Sequence, residues 1–335
     1  VTGLRREIYE KYKSQNRLFV AMLELTYRCV CRCVHCYIDE YESPELSTEE
    51  VLNLLNQLKD EGVFNLSLTG GEVFLRKDLE TIVAEAGRLG FFTNLLTTGI
   101  LIDPAAADML ERHKVHAVEM SLLGARAETH DALMRHPGAF AGLMNAVELL
   151  RERGIPVVLK NTVLRQNAGE LEEMAALAAA RDCLFNASLS VLPKIGGDQE
   201  PQSFAVDFET ALSLNPRLLL GGPIPDEDTS GGAFLTCNAG RTNCGISPFG
   251  DVYPCLIWRR PVGSLRTQTL RDIWHDNPDP YLTRIRASRP EESDECFTCE
   301  VKKSCRRCPG TAFAETGDFQ KPVLSACRLA GKREG

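Results

Sequence analysis

The chain lacks any apolar run near the ~18 residues that a membrane-spanning helix requires, so no membrane span is expected among its 335 residues. It also lacks the apolar stretch of a secretory signal, because its start, Leu4-Arg5-Arg6-Glu7-Ile8-Tyr9-Glu10-Lys11, is charged. There is no basic tract. Lys and Arg number 38 against 46 Asp and Glu, a net charge of −8, which speaks against nucleic acid as a partner. Lys302-Lys303 and Arg306-Arg307 form a small basic patch among cysteines, where local balancing of thiolate charge accounts for it at least as well as phosphate binding. From Thr236 onward apolar periodicity is scarce, so a conventional core is not expected there and some other staple is needed. These absences leave a cytoplasmic protein of ordinary globular composition, 44% hydrophobic and 25% charged.

Cysteine is what the chain has in plenty. There are thirteen, in two dense groups. An odd number, a cytosolic context and recurring Cys-x-x-Cys pairs favour metal ligation over disulfides. The first group follows an apolar strand and reads Cys29-Val30-Cys31-Arg32-Cys33-Val34-His35-Cys36-Tyr37. Cys29, Cys33 and Cys36 can hold three irons of a [4Fe–4S] cluster and leave the fourth iron without a protein ligand. A zinc knuckle is the alternative for this run, although zinc sites pair two short knuckles across a wider gap.

Between residues 18 and 195 apolar runs alternate with amphipathic helices. Strands are expected at 19–26, 65–69, 92–97, 117–122, 157–163 and 187–192. Ser47 with Glu50 makes a capping box ahead of the stripe Val51, Leu54, Leu55 and Leu58. Leu79, Ile82, Val83 and Ala86 form a second stripe closed by Gly90, and a helix over 139–153 closes on Gly154. Strand–helix units without hairpins imply parallel strands joined by right-handed crossovers. Six units are too few for a closed eight-stranded barrel, so an open partial barrel is expected. Its chemistry would sit at the C-terminal strand ends, where Cys29–Cys36, Gly70–Glu72 and Ser121 fall. Periodicity alone leaves a doubly wound sheet equally open.

The cysteine spacing, the strand before it and the aromatic after it resemble the radical S-adenosylmethionine (SAM) enzymes. That resemblance favours the barrel, a partial (β/α)6 TIM barrel. It implies that Cys29, Cys33 and Cys36 bind a cluster whose open iron is chelated by SAM, with Tyr37 presenting backbone near the adenine and Cys31 a spare. Leu68-Thr69-Gly70-Gly71-Glu72 resembles the family's Gly-Gly-Glu motif, in which the loop and Glu72 meet the methionine ammonium; Val73 stands where the family usually has proline. Ser121, in Ser121-Leu122-Leu123-Gly124, matches the Ser-Leu-Asp-Gly of peptide-modifying relatives except that Leu123 replaces the acid. His130, Asp131 and Arg135 match the family's His-Asp…Arg run. Arg135 would pair with the SAM carboxylate, or else lie on a solvated helix face; His130 reads as a cap or packing residue. Lys160 and Asn161 are candidates to point into the barrel, and Cys183 reads as a small buried hydrophobe.

The second cysteine group, Cys237-x12-Gly250-x4-Cys255, then Cys296-x2-Cys299-x5-Cys305-x2-Cys308, then Cys327, resembles the SPASM extension. The resemblance implies two auxiliary [4Fe–4S] clusters, three in all. Cys237, Cys244, Cys255 and Cys308 would hold the first, and Cys296, Cys299, Cys305 and Cys327 the second. Were Cys244 not a ligand, the first would carry an open iron. Two residues separate Cys305 from Cys308, as in the tetrapyrrole-modifying branch, where the commoner pattern has three. A two-zinc ribbon is the alternative for this array.

The expected organisation is an N-terminal extension (1–17), a radical SAM partial barrel (18–195), a linker region (196–232) and a SPASM domain (233–335). The activity implied is reductive cleavage of SAM to a 5′-deoxyadenosyl radical that removes a hydrogen atom from substrate. A ribosomally made precursor peptide leads among substrates, with an oxidative crosslink such as a thioether or C–C bond as product. Tetrapyrrole side-chain modification comes second. Sulfatase maturation is third, because Leu256 stands where those enzymes carry an aspartate. A non-enzymatic iron–sulfur electron carrier is the reading from another class. Expected partners are a peptide or small-molecule substrate and an external electron donor of flavodoxin or ferredoxin type. A separate leader-peptide-binding protein is also expected, since nothing before residue 18 could be such a domain.

Overall fold

A computed structural model gives the fold. It describes residues 2–39, 44–215, 217–219, 237–288, 294–302, 305, 307–323 and 326–327. The glycine-rich stretch 221–232, together with Lys303 and Arg306, lies outside them.

Along the chain the elements are α1 (Thr2–Ser14), β1 (Val20–Thr26), α2 (Thr48–Asp60), β2 (Asn65–Gly70), α3 (Leu79–Arg88), β3 (Phe92–Thr97), α4 (Pro104–Arg112), β4 (Ala117–Ser121), α5 (Ala127–Met134), α6 (Ala139–Glu152), β5 (Val157–Thr162), α7 (Leu171–Ala179) and β6 (Leu184–Ser188). Then come α8 (Phe208–Ser213), β7 (Asn243–Ile246), β8 (Asp251–Tyr253), β9 (Gly263–Ser264), α9 (Pro280–Ala287), α10 (Asp294–Phe297) and α11 (Pro309–Thr316). The strands hydrogen-bond in the order β6-β5-β4-β3-β2-β1-β7-β8-β9. None of the described helices is long and apolar enough to cross a membrane.

The helices form where local chemistry directs. Ser47 and Glu50 make both halves of the capping box on α2, and Val51, Leu54, Leu55 and Leu58 are its buried stripe. Asp103 caps α4, with Pro104 at its first turn. Gly90 and Gly154 follow α3 and α6 at φ 74° and 68°, the left-handed geometry that closes a helix.

Two compact units emerge, and both are interleaved in sequence. One comprises residues 24–44 and 67–224, the other 1–23, 45–66 and 225–335. In the first unit β3–β4, β4–β5 and β5–β6 all pair in parallel. The expected parallel α/β architecture is present. One strand lies elsewhere than its sequence suggests: β6 spans Leu184–Ser188 rather than 187–192. β5 ends at Thr162, opposite Ser188, so the apolar residues beyond have no ladder to join. In the second unit β7 runs parallel to β1 in the register Val20↔Asn243 to Leu23↔Ile246, and β8 folds back on β7 as an antiparallel hairpin. Its apolar core includes Ala239, Trp258, Ile285 and Phe319.

Candidate active site

The cysteine loop leaves β1 and is fastened to the C-terminal turn of α5. Arg32 N donates to Met134 O at 3.1 Å and Val34 N to Leu133 O at 3.0 Å, while the Arg32 guanidinium donates to the Cys29 and Cys31 carbonyls at 2.8 Å each. Cys31 is the anchor: it is buried in an apolar cluster with Leu123, Leu133, Met134, Ala139 and Leu164. Cys29, Cys33 and Cys36 are half-buried. The Cys31 amide donates to Cys29 Sγ at 3.4 Å, and Cys33 Sγ lies 3.4 Å from Met134 Sδ.

A hydrogen bond from Cys31, then burial, holds the Cys29 thiol far above its ordinary value. Cys29 pulls Cys31 down while Cys33 and burial push it up, to about 12. Crowded thiols in a partly desolvated pocket resist ionising until positive charge arrives. That donor set fits an iron–sulfur cluster. Among the described residues no three His, Cys, Asp or Glu side chains converge as around a single ion; a four-iron cluster places its thiolates on different irons and so further apart.

Gly70 and Gly71 are required by the approach of two loops. Gly70 has φ 145°, and a Cβ there would enter the Thr26 carbonyl; one on Gly71 would enter the Arg28 and Tyr27 carbonyls. Gly71 N donates to Thr26 O at 2.7 Å and Glu72 N to Arg28 O at 2.8 Å. Glu72 itself is fully buried. Its carboxylate accepts from Phe74 N (3.2 Å), Thr97 Oγ1 (2.7 Å), Thr98 N (2.9 Å) and Thr98 Oγ1 (2.5 Å). Thr97 and Thr98, at the end of β3, escaped sequence reasoning because their partner is 25 residues away.

Tyr37 donates its hydroxyl to Glu24 Oε1 at 2.5 Å, and Tyr27 donates to Glu24 Oε2 at 3.0 Å. The Tyr37 carbonyl accepts from Ile195 N at 2.8 Å, and Gly196 N donates to Asp39 at 2.7 Å. The segment around 195 thereby closes on the cysteine loop. Glu24, wholly buried in β1, was another residue the sequence did not mark.

Ser121 ends β4 in register with Lys160, which faces Asn186 on β6. These three and Glu119 are half-buried, while Val118, Met120, Leu159 and Ala187 between them are fully buried. Lys160 Nζ lies 2.9 Å from Glu119 Oε2. Parallel strands covered on both faces read as continuous apolar runs; polar residues at alternate positions are the signal for a wet face, and of these the sequence pointed to Ser121 and Lys160 but not to Glu119 or Asn186. Asn161 points the other way, buried and donating to Leu122 O at 2.8 Å.

Arg135 stands at the left-handed C-terminus of α5 (φ 50°). Its half-exposed guanidinium is 3.8 Å from Glu200. His130 is buried, and its Nδ1 accepts from Leu123 N at 3.1 Å, which fixes the proton on Nε2 when the ring is neutral. Burial lowers its pKa to about 4. It is a packing residue that holds the turn after Ser121.

In the other unit the C-terminal cysteines form two groups. Cys305 is raised by burial and then by Cys327, Cys296 and Cys299. Cys255 is raised to about 12 by burial and then by Cys237 and Cys308. Cys237 and Cys255 pack on one apolar cluster of Ala239, Trp258, Ile285 and Phe319. Arg241 and Arg307 act on Cys237 as stabilising positive charges. Cys244 is buried within β7, raised to about 12 by burial alone. Cys183 is buried just before β6.

Comparison with known proteins agrees with this arrangement. Residues 23–178 match the Radical SAM superfamily, and residues 237–309 match the SPASM iron–sulfur cluster-binding domain. The chain is 28% identical to the AdoMet-dependent heme synthase of Methanosarcina barkeri, over 92% of this chain and 96% of that one. It is 28% identical to the PqqA peptide cyclase of Granulibacter bethesdensis, over 89% and 84%. It is 30% identical to the mycofactocin maturase MftC of Mycobacterium ulcerans, over 84% and 80%. Its fold is similar to that of Streptococcus suis SuiB bound to precursor peptide SuiA, with a TM-score of 0.70 and 17% identity over 96% of this chain and 79% of that one. The chain belongs to the radical SAM superfamily and carries a SPASM iron–sulfur domain.

Proposed function

We propose that this enzyme modifies a ribosomally made precursor peptide, closing an oxidative crosslink such as a thioether or C–C bond. The likeness to the PqqA peptide cyclase along 89% of the chain carries this reading. The half-buried polar row of Ser121, Lys160 and Asn186 supports it, since a peptide backbone needs donors and acceptors along its path.

Cys29, Cys33 and Cys36 are the residues to hold the SAM-binding cluster, with Gly70, Gly71 and Tyr37 shaping the SAM pocket beside it. Glu72, spent on Thr97, Thr98 and Phe74, sets the shape of that loop. Ser121 and Arg135 border the same strand ends. A cluster held there would supply the single electron for reductive cleavage of SAM, the chemistry that generates a hydrogen-abstracting radical. The residues' tasks are to orient the substrate carbon and exclude water. Loss of a hydrogen atom leaves a substrate radical, and bond closure releases one proton and one electron. The clusters that the C-terminal cysteines would hold are suited to receive that electron. The first electron comes from a flavodoxin- or ferredoxin-type donor, and a separate leader-binding protein presents the peptide.

A second reading, tetrapyrrole side-chain modification, is favoured by two observations. The heme synthase match spans 96% of that relative, and only two residues separate Cys305 from Cys308. The deciding experiment supplies the reconstituted enzyme, SAM and reductant with candidate precursor peptides or with a tetrapyrrole, and reads products by mass spectrometry. A peptide lighter by two hydrogens supports the first reading. Turnover of the tetrapyrrole with no peptide modified replaces it with the second.

A further inference from the structure

Helices cover one face of the sheet formed by β4, β5 and β6. Met120 lies on that face, where a Cβ on Gly99 would meet its sulfur together with Leu143 and Ala146 of α6. So does Asn161, whose amide reaches Met174 of α7. Successive strand residues point to opposite faces, so Glu119, Ser121 and Lys160 project to the other one. Asn186, in register with Lys160, shares it. All four are half-buried there, not sealed.

Two charges meet on this open face. Lys160 Nζ is 2.9 Å from Glu119 Oε2, and the ammonium is the more open partner, its side chain 40% exposed against 18% for Glu119. Lys160 is level with Ser121, the last residue of β4, and Glu119 lies two residues deeper. A molecule entering from the strand ends therefore meets the ammonium first. An ammonium has three donors, and Glu119 takes one of them. One strand further on, about 4.8 Å across the ladder, the Asn186 amide makes no hydrogen bond among the described residues.

We propose that Lys160 and Asn186 form a carboxylate-binding subsite for substrate, with Glu119 holding Lys160 in place. One carboxylate oxygen accepts from the ammonium and the other from the amide NH2. An anion is favoured over a cation because the acid of the pair lies behind the base. The occupant rests on the peptide reading of the function: it is an Asp or Glu side chain of the precursor.

The test is affinity selection on full-length reconstituted protein with SAM and no reductant, so that nothing turns over, read by mass spectrometry. The probes are two pools of short peptides, randomised among neutral residues around a central Glu or a central Gln, and mesoporphyrin IX with its dimethyl ester. Wild type should retain the Glu pool about tenfold over the Gln pool, as expected of a hydrogen bond to a charged group. Lys160→Met should erase that preference, and Lys160→Arg, which keeps the cation, should preserve it. Glu119→Lys combined with Lys160→Glu keeps an ion pair for folding but turns an acid outward, and should favour a third pool with a central Lys. No preference by wild type for acid over amide or for mesoporphyrin over its ester would overturn the subsite. So would a preference that survives Lys160→Met with wild-type circular dichroism. Should neither peptide pool be retained while mesoporphyrin is held over its ester only when Lys160 is present, the subsite stands and the peptide reading falls.

Discussion

Glu72 shows how one side chain couples the Gly70–Glu72 loop to the sheet. Four donors converge on its buried carboxylate, two on each oxygen, and an amide in its place would turn an NH2 toward two of them. Glu72→Gln is therefore expected to cost about 1–3 kcal/mol. It should weaken SAM binding as the loop relaxes, read by thermal melting and equilibrium dialysis; unchanged values in both would deny the residue this role. His130 sets a pH dependence. Its pKa is lowered from 6.5 to about 4 by burial, against a small opposing effect of Asp131. Between those values the unfolded chain holds a proton that the folded chain does not, so stability rises with pH across that window and is fully present above it. Falling pH should erode wild-type stability between about 6.5 and 4 by a few kcal/mol. His130→Gln, which keeps an acceptor for Leu123 N, should show a flatter profile in denaturant melts at pH 5 and 7.5.

At the scale of elements, the site is made by loops at strand ends pressing on one another. The loop after β2 meets the loop after β1 so closely that Gly71 leaves no room for a methyl group. Gly71→Ala must push the Arg28 carbonyl and the start of the cysteine loop aside. The expected result is a cluster that still assembles but whose paramagnetic signal no longer responds to SAM, with 5′-deoxyadenosine formation down at least tenfold, about 1.4 kcal/mol in transition-state binding. A normal spectral response would show that the loops can separate without consequence. Most elements could be read from local pattern: the capping box of α2, the stripes of α2 and α3, and five of the six parallel strands. β6 was misplaced because its extent is set by where β5 stops, a fact of pairing and not of composition.

For the whole molecule, three cysteine groups predict three clusters. Anaerobic reconstitution should give about twelve irons and twelve sulfides per chain, and alanine at Cys29, Cys33 and Cys36 should remove about a third and abolish 5′-deoxyadenosine formation. Zinc as the main metal, or activity in that triple variant, would refute the assignment. Cys327→Ala separates the two half-reactions: the residues proposed for the SAM pocket all precede residue 195, so SAM cleavage should persist while product is lost. The variant must retain the other two clusters, because clusters also fold such domains. Full turnover would leave the second group a structural staple.

The sequence by itself determined the chemistry. The thiols proposed for one cluster lie within Cys29–Cys36, so their spacing is local and survives without knowledge of the fold, and the Cys296–Cys308 run is nearly as local. Gly70-Gly71-Glu72 was legible for the same reason. What only the tertiary structure decided is orientation. Cys244 looks like any other cysteine of the array until the β1–β7 register fixes its face. Glu72 is one acid among many until Thr97 and Thr98 arrive from another strand to hold its carboxylate. Lys160 finds Glu119 only because β4 and β5 pair side by side. Each depends on partners distant in the chain, and no one-dimensional spacing records which side of a strand is free.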